Sequence, residues 1–369
     1  MPLWLIQPHD SLIARDARPF SAAAGARART LPFAPPSMVA GATRGRIGSD
    51  AAGVFRHTHP EALLDEVIVG PFLVELDAQQ QIADWWFPAP ADAIVLAHPE
   101  EHVHRLVPLA RLTGQSNLPA GLTPVRMEHP IAAKPRHHAW WRWRDAYATW
   151  LASPADHSLP ASHVFDGLPI DERTHVAIDP VTGAVGSEGG NLFVTAGLSF
   201  RVGMDRQFAL AVSSNGNLSV PPEALTMGGE RRIVHWTASP AQTPQLPPAV
   251  LSRILETRRC RVVLVTPAYY TAGWRPTYLL QTSGSLRVTL DAVAGGKPIV
   301  QSGWAMRTPT TAGGPKPSRR FAPAGSVYWL SFEGTDAEIT DWVNTHWMTA
   351  ISDTPQDRND GAGIALIGA

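Results

Sequence analysis

The chain has 369 residues, a hydrophobic fraction of 44% and a formal net charge of −1. That length is long for one hydrophobic core, so two domains are expected. The single cysteine, Cys260, excludes an internal disulfide and a cysteine-based zinc cluster, and it fits a reducing cytoplasm best. The start of the chain has no signal-peptide pattern. No apolar stretch approaches the roughly 18 residues that a membrane helix needs, so no membrane partner is expected.

The charge is distributed in blocks, although the total is near zero. Segments 1–60 and 225–330 carry net charges of +4 and +10, whereas segments 61–224 and 331–369 carry −9 and −6. Arginine supplies 28 of the 31 basic residues, and its guanidinium binds phosphate bidentately. The two basic blocks are the first candidates for a surface that faces a polyanion. Solvated charged faces, or an arginine-rich composition, would also produce such blocks.

The N-terminal part predicts the order β-α-β-β, which is the beginning of a ferredoxin-like unit. The predicted elements are a strand at 3–7, a helix at 37–48 with Ser37 as its N-cap, a strand pair or one bulged strand at 67–76, and strands at 85–87 and 93–96. Residues 98–170 are rich in proline and histidine and irregular, with one exception. The aromatic residues of segment 139–151 recur at helical spacing, so a helix is predicted there. Core or interface packing is favoured over base stacking for this stripe, and our hypothesis is a protein interface.

From residue 192 the pattern is rich in strands. Strands are predicted at 192–202, 208–213, 231–237, 260–266, 285–292, 300–306 and 327–332, followed by a closing helix at 336–351. This order predicts a second α+β unit with an antiparallel sheet, and the boundary between the two units falls between residues 160 and 190.

The first candidate binding segment is the arginine-bearing stretch that leads into the predicted helix at 37–48. A helix N-terminus offers N–H groups and a partial positive charge, so it binds phosphate readily. Glycine lets a backbone approach closely, and nearby arginines would close on the same phosphates. An ordinary strand, loop and helix with surface arginines is the alternative. The candidate ligands are Arg15, Arg18, Ser37, Gly41 and Arg44.

The second candidate is the run Gly228-Gly229-Glu230-Arg231-Arg232 at the start of a predicted strand. Its glycines permit positive φ, and its exposed amides can form an anion-binding nest. In an extended chain Arg231 and Arg232 point to opposite faces, so one of them faces a ligand, while Glu230 is placed to hold an arginine. A β-bulge with one intramolecular salt bridge is the alternative.

Two further segments are candidates for contact with a nucleic-acid backbone. The basic loop that contains Lys316 and Arg319 suits phosphate contact, or it is a flexible hairpin tip with incidental charge. At the C-terminus, Gly361 and Gly363 precede an apolar strand and are expected to bring the backbone against RNA or against the first strand. The tail lacks the Lys-Ser/Thr of a P-loop.

Patterns typical of catalysis or metal binding are missing from the sequence. The histidine pairs at 57/59, 102/104 and 137/138 lack a known ligand spacing, so solvated loop histidines and no metal are expected. There is no Gly-x-Ser-x-Gly elbow, no Rossmann fingerprint after a strand and no convincing pair of carboxylates.

On these residues the chain resembles the crRNA 5′-tag-binding RAMP subunit of type III-B (Cmr) CRISPR–Cas effector complexes. The resemblance rests on residues 10–20, 31–44, 173–179 with 192–193, 228–232, 316–327 and the glycine-rich end. It implies an α+β fold of two ferredoxin-like (RRM-like, RAMP) domains with long loop insertions. The first would span 1–175, with an irregular Trp- and Pro-rich insertion, and the second, β-rich domain would span 176–369.

The resemblance also implies a function in antiviral defence without catalysis and without a cofactor. The protein would sit at the foot of the complex and bind the crRNA 5′ tag, with target RNA as a further partner. The large polymerase-cyclase-like subunit and the backbone RAMP subunit would lie beside it. The expected RNA-binding residues are Arg15, Arg18, Ser37, Gly41, Arg44, His175, Gly228, Gly229, Arg231, Arg232, Lys316 and Arg319.

Two alternatives stay open at the level of sequence. A metal-independent RNA endonuclease of the RAMP superfamily would need a general base and a charge stabiliser, such as His175 or His9 with an arginine, and the isolation of these histidines disfavours it. A purely protein-bridging module would leave the +10 block at 225–330 without a role.

Overall fold

The computed structural model of the protein describes residues 1–18, 25–96, 102–109, 117–155, 157–179, 181–185, 192–218, 224–281, 284–305 and 312–369. Residues 19–20 of the first family motif and residue 306 of a predicted strand lie outside them. The helices are α1 (Pro36–Ile47), α2 (Ala148–Ala152), α3 (Pro248–Thr257), α4 (Asp336–His346) and α5 (Pro355–Asn359), with 3₁₀ turns at Pro60–Asp65, Ala161–His163 and Gly229–Arg231 and a π-type turn at Trp143–Tyr147. No helix among these residues is long and apolar enough to cross a membrane.

The strands outnumber the helices, and the fold is α+β with most of its regular structure in sheets. In chain order they are β1 (Leu3–Pro8), β2 (Arg27–Ala28), β3 (Ile68–Leu76), β4 (Ile82–Pro88), β5 (Ala93–Leu96), β6 (His102–Pro108), β7 (Val125–Met127), β8 (Pro135–Arg136), β9 (Trp140–Arg142), β10 (His157–Ser158), β11 (Val164–Phe165), β12 (Ile170–Val176), β13 (Leu192–Leu198), β14 (Arg201–Val202), β15 (Arg206–Ser214), β16 (Ala224–Met227), β17 (Arg232–Ser239), β18 (Arg259–Leu264), β19 (Arg287–Ala294), β20 (Ile299–Gln301), β21 (Trp304–Ala305), β22 (Gly314–Pro315), β23 (Arg319–Phe321), β24 (Val327–Glu333), β25 (Thr349–Ala350) and β26 (Ile364–Gly368).

The larger sheet, which we call the first sheet, is antiparallel. Its strand order is β11-β9-β4-β3-β15-β1-β17-β16, with β14 paired to β15. It takes strands from both sides of the predicted boundary at residues 175/176 and continues to Ser239. Smaller sheets flank it: β10-β6-β5-β8 with β7 on β6, and β12-β13-β2. Strands that are far apart in the chain pair in this one sheet. The sequence pattern around residues 175/176 therefore does not mark the boundary of a domain.

A second antiparallel sheet has the order β19-β24-β18-β26-β25. Helix α4 begins at a capping box, in which Thr335 accepts from the amide of Glu338 and the Glu338 side chain accepts from the amide of Thr335. The predicted closing helix at 336–351 is too long. Trp347 is extended, and the next residues form β25 and pair with β26.

The larger sheet packs on both faces. Because alternate residues of a strand point to opposite sides, Trp4 and Ile6 of β1 pack in the cluster that contains Val39 of α1. Leu3 and Leu5 pack instead in a second cluster, which also holds the interior of the second sheet. The first sheet therefore lies between helix α1 and the C-terminal half of the chain.

The Trp-rich segment does not form the predicted helix at 139–151. Its first part is strand β9, in which Trp141 pairs with Phe87 of β4, and Asp145 then takes a left-handed conformation with φ of 66°. Only α2 is helical. Trp141, Tyr147 and Trp150 are fully buried in the large cluster. The aromatic stripe therefore packs in the core of this chain, in agreement with the packing interpretation. Contacts within the chain bury these residues, and the hypothesis of a protein interface stays a prediction.

The other predicted strands are found within two residues of their predicted ends, apart from three. The strand predicted at 85–87 begins three residues earlier, as β4. Segment 192–202 divides into β13 and β14, because Ser199 and Phe200 turn the chain between different sheets. Segment 300–306 gives the short strands β20 and β21. Segment 67–76 is the single strand β3, with a register shift against β15.

Candidate nucleic-acid interface

The structure brings three of the predicted segments together. The amide of Gly229 donates a 2.8 Å hydrogen bond to the carbonyl of Ile13, so the Gly228–Gly229 turn lies against the N-terminal loop. Gly228 has a φ of 73°, and a Cβ there would be 2.6 Å from the same carbonyl oxygen. Only glycine fits this close approach. The loop follows β1, and the turn connects β16 to β17, so both are joined to strands of the first sheet.

A cavity of about 290 Å³ opens between helix α1 and strand β16. Gly41 and Gly45 line it from the helix, and Thr226 and Gly228 line it from the strand and the turn. A Cβ at Gly41 or Gly45 would meet nothing within 4 Å, so the small residues leave this face of the helix open. Gly41 and Gly228 were predicted separately and line one cavity.

Asp10 anchors the glycine turn through Arg232 and strand β12 through Arg173. Its carboxylate accepts from Arg173 at 2.7 and 2.9 Å and from Arg232 at 2.8 Å. Arg232 also donates to Glu230 at 2.6 Å, so Glu230 holds an arginine as predicted. The hydrogen bond from Arg173 lowers the pKa of Asp10 below its ordinary value. Arg232 is thus committed to two carboxylates, and its side chain is only 18% exposed.

Exposed arginines surround this anchored turn. Arg15 pairs with Thr30 in an isolated β-bridge, and the backbone of Asp16 bonds to that of Arg29, which places β2 beside the N-terminal loop. Arg231 has a φ of 52° in a 3₁₀ turn and is exposed. Because that turn is not extended, the prediction that the two arginines point to opposite faces of a strand is wrong. We call Arg15, Arg18, Arg27, Arg29 and Arg231 the arginine surface.

Ser37 is not the N-cap of helix α1. Helix α1 begins at Pro36, and its N-cap is Pro35, which makes no side-chain capping hydrogen bond. Proline suits the first helical position because its fixed φ is helical and its missing N–H has no intrahelical partner there. Ser37 therefore lies inside the first turn, and its predicted capping role is wrong.

Arg44 is buried, and this corrects its prediction as a surface phosphate ligand. Its Nη1 lies 2.5 Å from Oδ1 of Asp360, with the two side chains 6% and 8% exposed. Its Nη2 donates to the carbonyl of Glu66 at 3.0 Å. Arg46, which the sequence did not single out, is also buried and stacks over Trp4 and Trp236. The small, apolar composition of the helix gave no sign that its arginines face inward.

His175 lies on β12, where its Nε2 is 2.9 Å from the hydroxyl of Thr195 and its ring stacks on Phe193. His9 contacts His235 edge-to-face at 5.8 Å. In the described ranges there is no group of three or more His, Cys, Asp or Glu side chains that could hold a metal ion.

Lys316 and Arg319 lie with the C-terminal half of the chain. Arg319 binds both carboxylate oxygens of Asp357, at 2.7 and 2.9 Å, and stacks over Tyr269. The backbone amide of Lys316 donates to Gly303 at 2.7 Å, and its side chain is exposed. Arg319 thus secures helix α5, whereas Lys316 stays at the surface of a different hairpin.

The start of the glycine-rich tail packs against strand β3 of the first sheet. Gly361 has a φ of 79°, and a Cβ there would be 2.3 Å from the carbonyl oxygen of Gly70 on β3. Strand β26 pairs with β18 and β25. The glycine expected at the first strand therefore meets β3 instead, and contact with RNA, the other alternative, stays a prediction.

Comparison with known proteins identifies the family. Chains of two cryo-EM structures are similar to this one. The first structure is Type III-B Cmr-beta bound to cognate target RNA and AMPPnP, state 1, with 13% sequence identity, a TM-score of 0.43 and coverage of 93% of this chain and 88% of that chain. The second is Type III-B Cmr-beta bound to cognate target RNA, with 14% sequence identity, a TM-score of 0.45 and coverage of 93% of this chain and 89% of that chain. No curated protein matches. The family described as CRISPR-associated protein (Cas_Cmr3) matches residues 4–369. Because that match spans nearly the whole chain, the family resemblance is confirmed, and the protein belongs to the Cas_Cmr3 family of CRISPR-associated proteins.

Proposed function

We propose that the protein is a non-catalytic RNA-binding subunit that caps the foot of the type III-B complex and binds the 5′ tag of the crRNA. The observation that carries this proposal is the arginine surface beside an anchored glycine turn, on a chain that matches the Cas_Cmr3 family from residue 4 to residue 369. Its partners are then the crRNA, the target RNA, the large polymerase-cyclase-like subunit and the backbone RAMP subunit.

We also propose that each large sheet derives from one ferredoxin-like unit. In the first sheet the strands β17-β1-β15-β3 have the order fourth, first, third, second, with α1 between the first and second strands. In the second sheet the strands β26-β18-β24-β19 repeat that order, with α4 between the third and fourth. This is the strand order of a β-α-β-β-α-β fold, in which each sheet retains a different one of the two helices among the described residues.

The arginine surface suits the backbone of a single strand. Contacts to phosphates position a nucleic acid without reading its sequence, and arginine makes such contacts bidentately. The cavity between α1 and β16 is open and lined by small residues, so a splayed nucleotide can approach the helix backbone at Gly41. Gly228 and Gly229 hold this cavity's rim in place through Ile13.

The Asp10 network has a positioning role in this proposal. Arg173 and Arg232 both bind Asp10, so their charges are largely compensated before any RNA arrives. They fix the glycine turn and hairpin β12–β13 relative to the N-terminal loop. Arg232 and Arg173 therefore orient the arginine surface, whereas the exposed Arg15, Arg18 and Arg231 face the phosphates. Arg18 forms an ion pair with Asp16 at 3.5 Å, but its side chain is 68% exposed.

The experiment is an RNA-binding titration with the variant Arg15→Ala/Arg18→Ala/Arg231→Ala. Fluorescence anisotropy of a tag-bearing RNA, measured at two salt concentrations, gives both affinity and salt dependence. We expect weaker binding. We also expect the plot of the logarithm of the binding constant against the logarithm of the salt concentration to be shallower, by about 0.7 for each phosphate of the single strand that the variant no longer neutralises. Arg287→Ala is the control, because Arg287 is an exposed arginine on the second sheet. Unchanged affinity and slope in a folded triple variant would contradict the proposal.

The absence of catalysis has its own test. The protein is incubated with repeat RNA in the presence of EDTA, and the products are separated on a denaturing gel. We expect intact RNA. Site-specific cleavage that disappears in His175→Ala would establish the endonuclease alternative instead.

A further inference from the structure

A cavity of about 1200 Å³ lies on the other side of the molecule from helix α1, against the second sheet. One wall is the start of β18 with the end of α3, and another wall is the end of β6 with residues 118–124. The amide of Thr123 donates to the carbonyl of Asp291 at 2.9 Å, which fixes that wall to β19. The described members of the arginine surface do not line this cavity.

Four arginines from two parts of the chain meet at the cavity. Helix α3 ends at Thr257, and Arg258, with a φ of 57°, turns the chain directly into β18. The chain therefore reverses direction between Arg253 and Arg261, and the arginines of this segment lie together at one end of the second sheet. The cavity-lining arginines are Arg105, Arg253, Arg259 and Arg261.

The positive charge of this cluster is only partly compensated. Arg261 is buried, forms an ion pair with buried Asp92 and donates to the carbonyl of Trp150. Arg105 lies near the carboxylates of Glu128 and Asp92. The one acidic side chain among the described lining residues is that of Asp291, which accepts a hydrogen bond from Ser331.

The arginines also crowd one another. Burial, and then the nearby charge of Arg261, lower the pKa of Arg105 below its ordinary value, although the carboxylates of Glu128 and Asp92 act in the opposite direction. In the described part of the chain no carboxylate forms an ion pair with Arg253 or Arg259. Such a cluster is stabilised when an anion enters it.

We propose that this cavity binds a phosphate-bearing ligand of the nucleotide class. Guanidinium groups from β6, α3 and β18 surround the site for phosphate, and Val107, Trp329 and Leu330 provide an apolar wall for the remainder of a nucleotide. The cavity is large enough for a nucleotide, since typical small-molecule sites occupy roughly 300–1000 Å³. The phosphate can belong to a free nucleotide or to an RNA strand, because both present the same group to the arginines.

The test is isothermal titration calorimetry on the full chain with three separate probes: ATP, inorganic pyrophosphate and a short single-stranded RNA oligonucleotide. In the background variant Arg15→Ala/Arg18→Ala/Arg231→Ala, oligonucleotide binding reports this cavity instead of the arginine surface. We expect binding at low salt, and a loss of about tenfold or more in Arg253→Ala/Arg259→Ala, since hydrogen bonds to charged groups contribute that much. Binding of ATP and pyrophosphate would identify a free nucleotide as the source, and binding of the oligonucleotide alone would identify a strand.

Two further variants keep the test decisive. Arg253→Lys/Arg259→Lys retains the charge and is expected to bind more tightly than the alanine variant, whereas Arg287→Ala, outside the cavity, is expected to bind like the unmodified protein. If no probe binds, or if the alanine variant keeps its thermal stability and binds as tightly as the unmodified protein, the proposal is wrong.

Discussion

Arg44 of helix α1 and Asp360 near the C-terminus form a buried ion pair, although their positions in the chain differ by 316. The side-chain amide of Gln356 also donates to Asp360, at 2.9 Å, and the side-chain amide of Asn359 donates to the carbonyl of Leu64 at 3.2 Å. The C-terminal turn is thereby attached to the segment between α1 and β3. Polar contacts thus join the N-terminal and C-terminal parts of the chain, in addition to the packing of the first sheet.

Replacement of Arg44 by alanine is expected to destabilise the protein by about 3–5 kcal/mol, because Asp360 would stay buried without its charge partner. Urea denaturation followed by circular dichroism measures the change. The comparison is Arg258→Ala, which removes an exposed ion pair with Asp336 and is expected to cost less than about 1 kcal/mol. If Arg44→Ala lowers RNA affinity while leaving the urea midpoint unchanged, Arg44 has the binding role predicted from the sequence.

Gly361→Ala is expected to be far more destabilising than Gly273→Ala. Both glycines have nearly the same positive φ, 79° and 78°, so both substitutions cause similar backbone strain of about 1 kcal/mol. A Cβ at Gly361 would also lie 2.3 Å from the carbonyl oxygen of Gly70, whereas one at Gly273 would meet nothing within 4 Å. The added methyl group would have to displace β3, so Gly361→Ala is expected to lower the free energy of unfolding by about 3 kcal/mol or more. Equal urea midpoints for the two variants would show that the tail does not press on β3.

The stability of the protein is expected to fall in acid partly through Glu338. Hydrogen bonds from Ser285 and from the amide and hydroxyl of Thr335 lower the pKa of Glu338 from 4.5 to about 2. A carboxyl whose pKa is lower in the folded state stabilises it above the unfolded pKa. That contribution disappears as the pH falls from 4.5 towards 2. Urea midpoints of the unmodified protein and of Glu338→Gln should therefore converge over this range, with the unmodified protein the more stable near neutral pH. Parallel pH profiles would show that the capping box contributes no pH dependence.

The sequence alone determined the α+β class, most strand positions and the family. Alternating and continuous apolar runs mark strands because burial of one or both faces requires them, as in 93–96, which was predicted with its observed ends. The run from Gly228 to Arg232 was recognisable because two adjacent glycines before a strand signal a special backbone conformation. That conformation is present at Gly228.

Only the tertiary structure decided which arginines are exposed. Arg44 and Arg15 both belong to the basic N-terminal block, but Arg44 pairs with Asp360, a carboxylate from the far end of the chain, and is buried, whereas Arg15 is exposed. Likewise, the aromatic stripe has helical spacing, yet Trp141 pairs with Phe87 in a sheet, because burial in a large core outweighs local helix preference. The cavity that Arg105 and Arg259 share brings together residues from two strands that are distant in the sequence. Local patterns report what each segment prefers, whereas burial and charge pairing between distant segments decide which side chains stay available to a ligand.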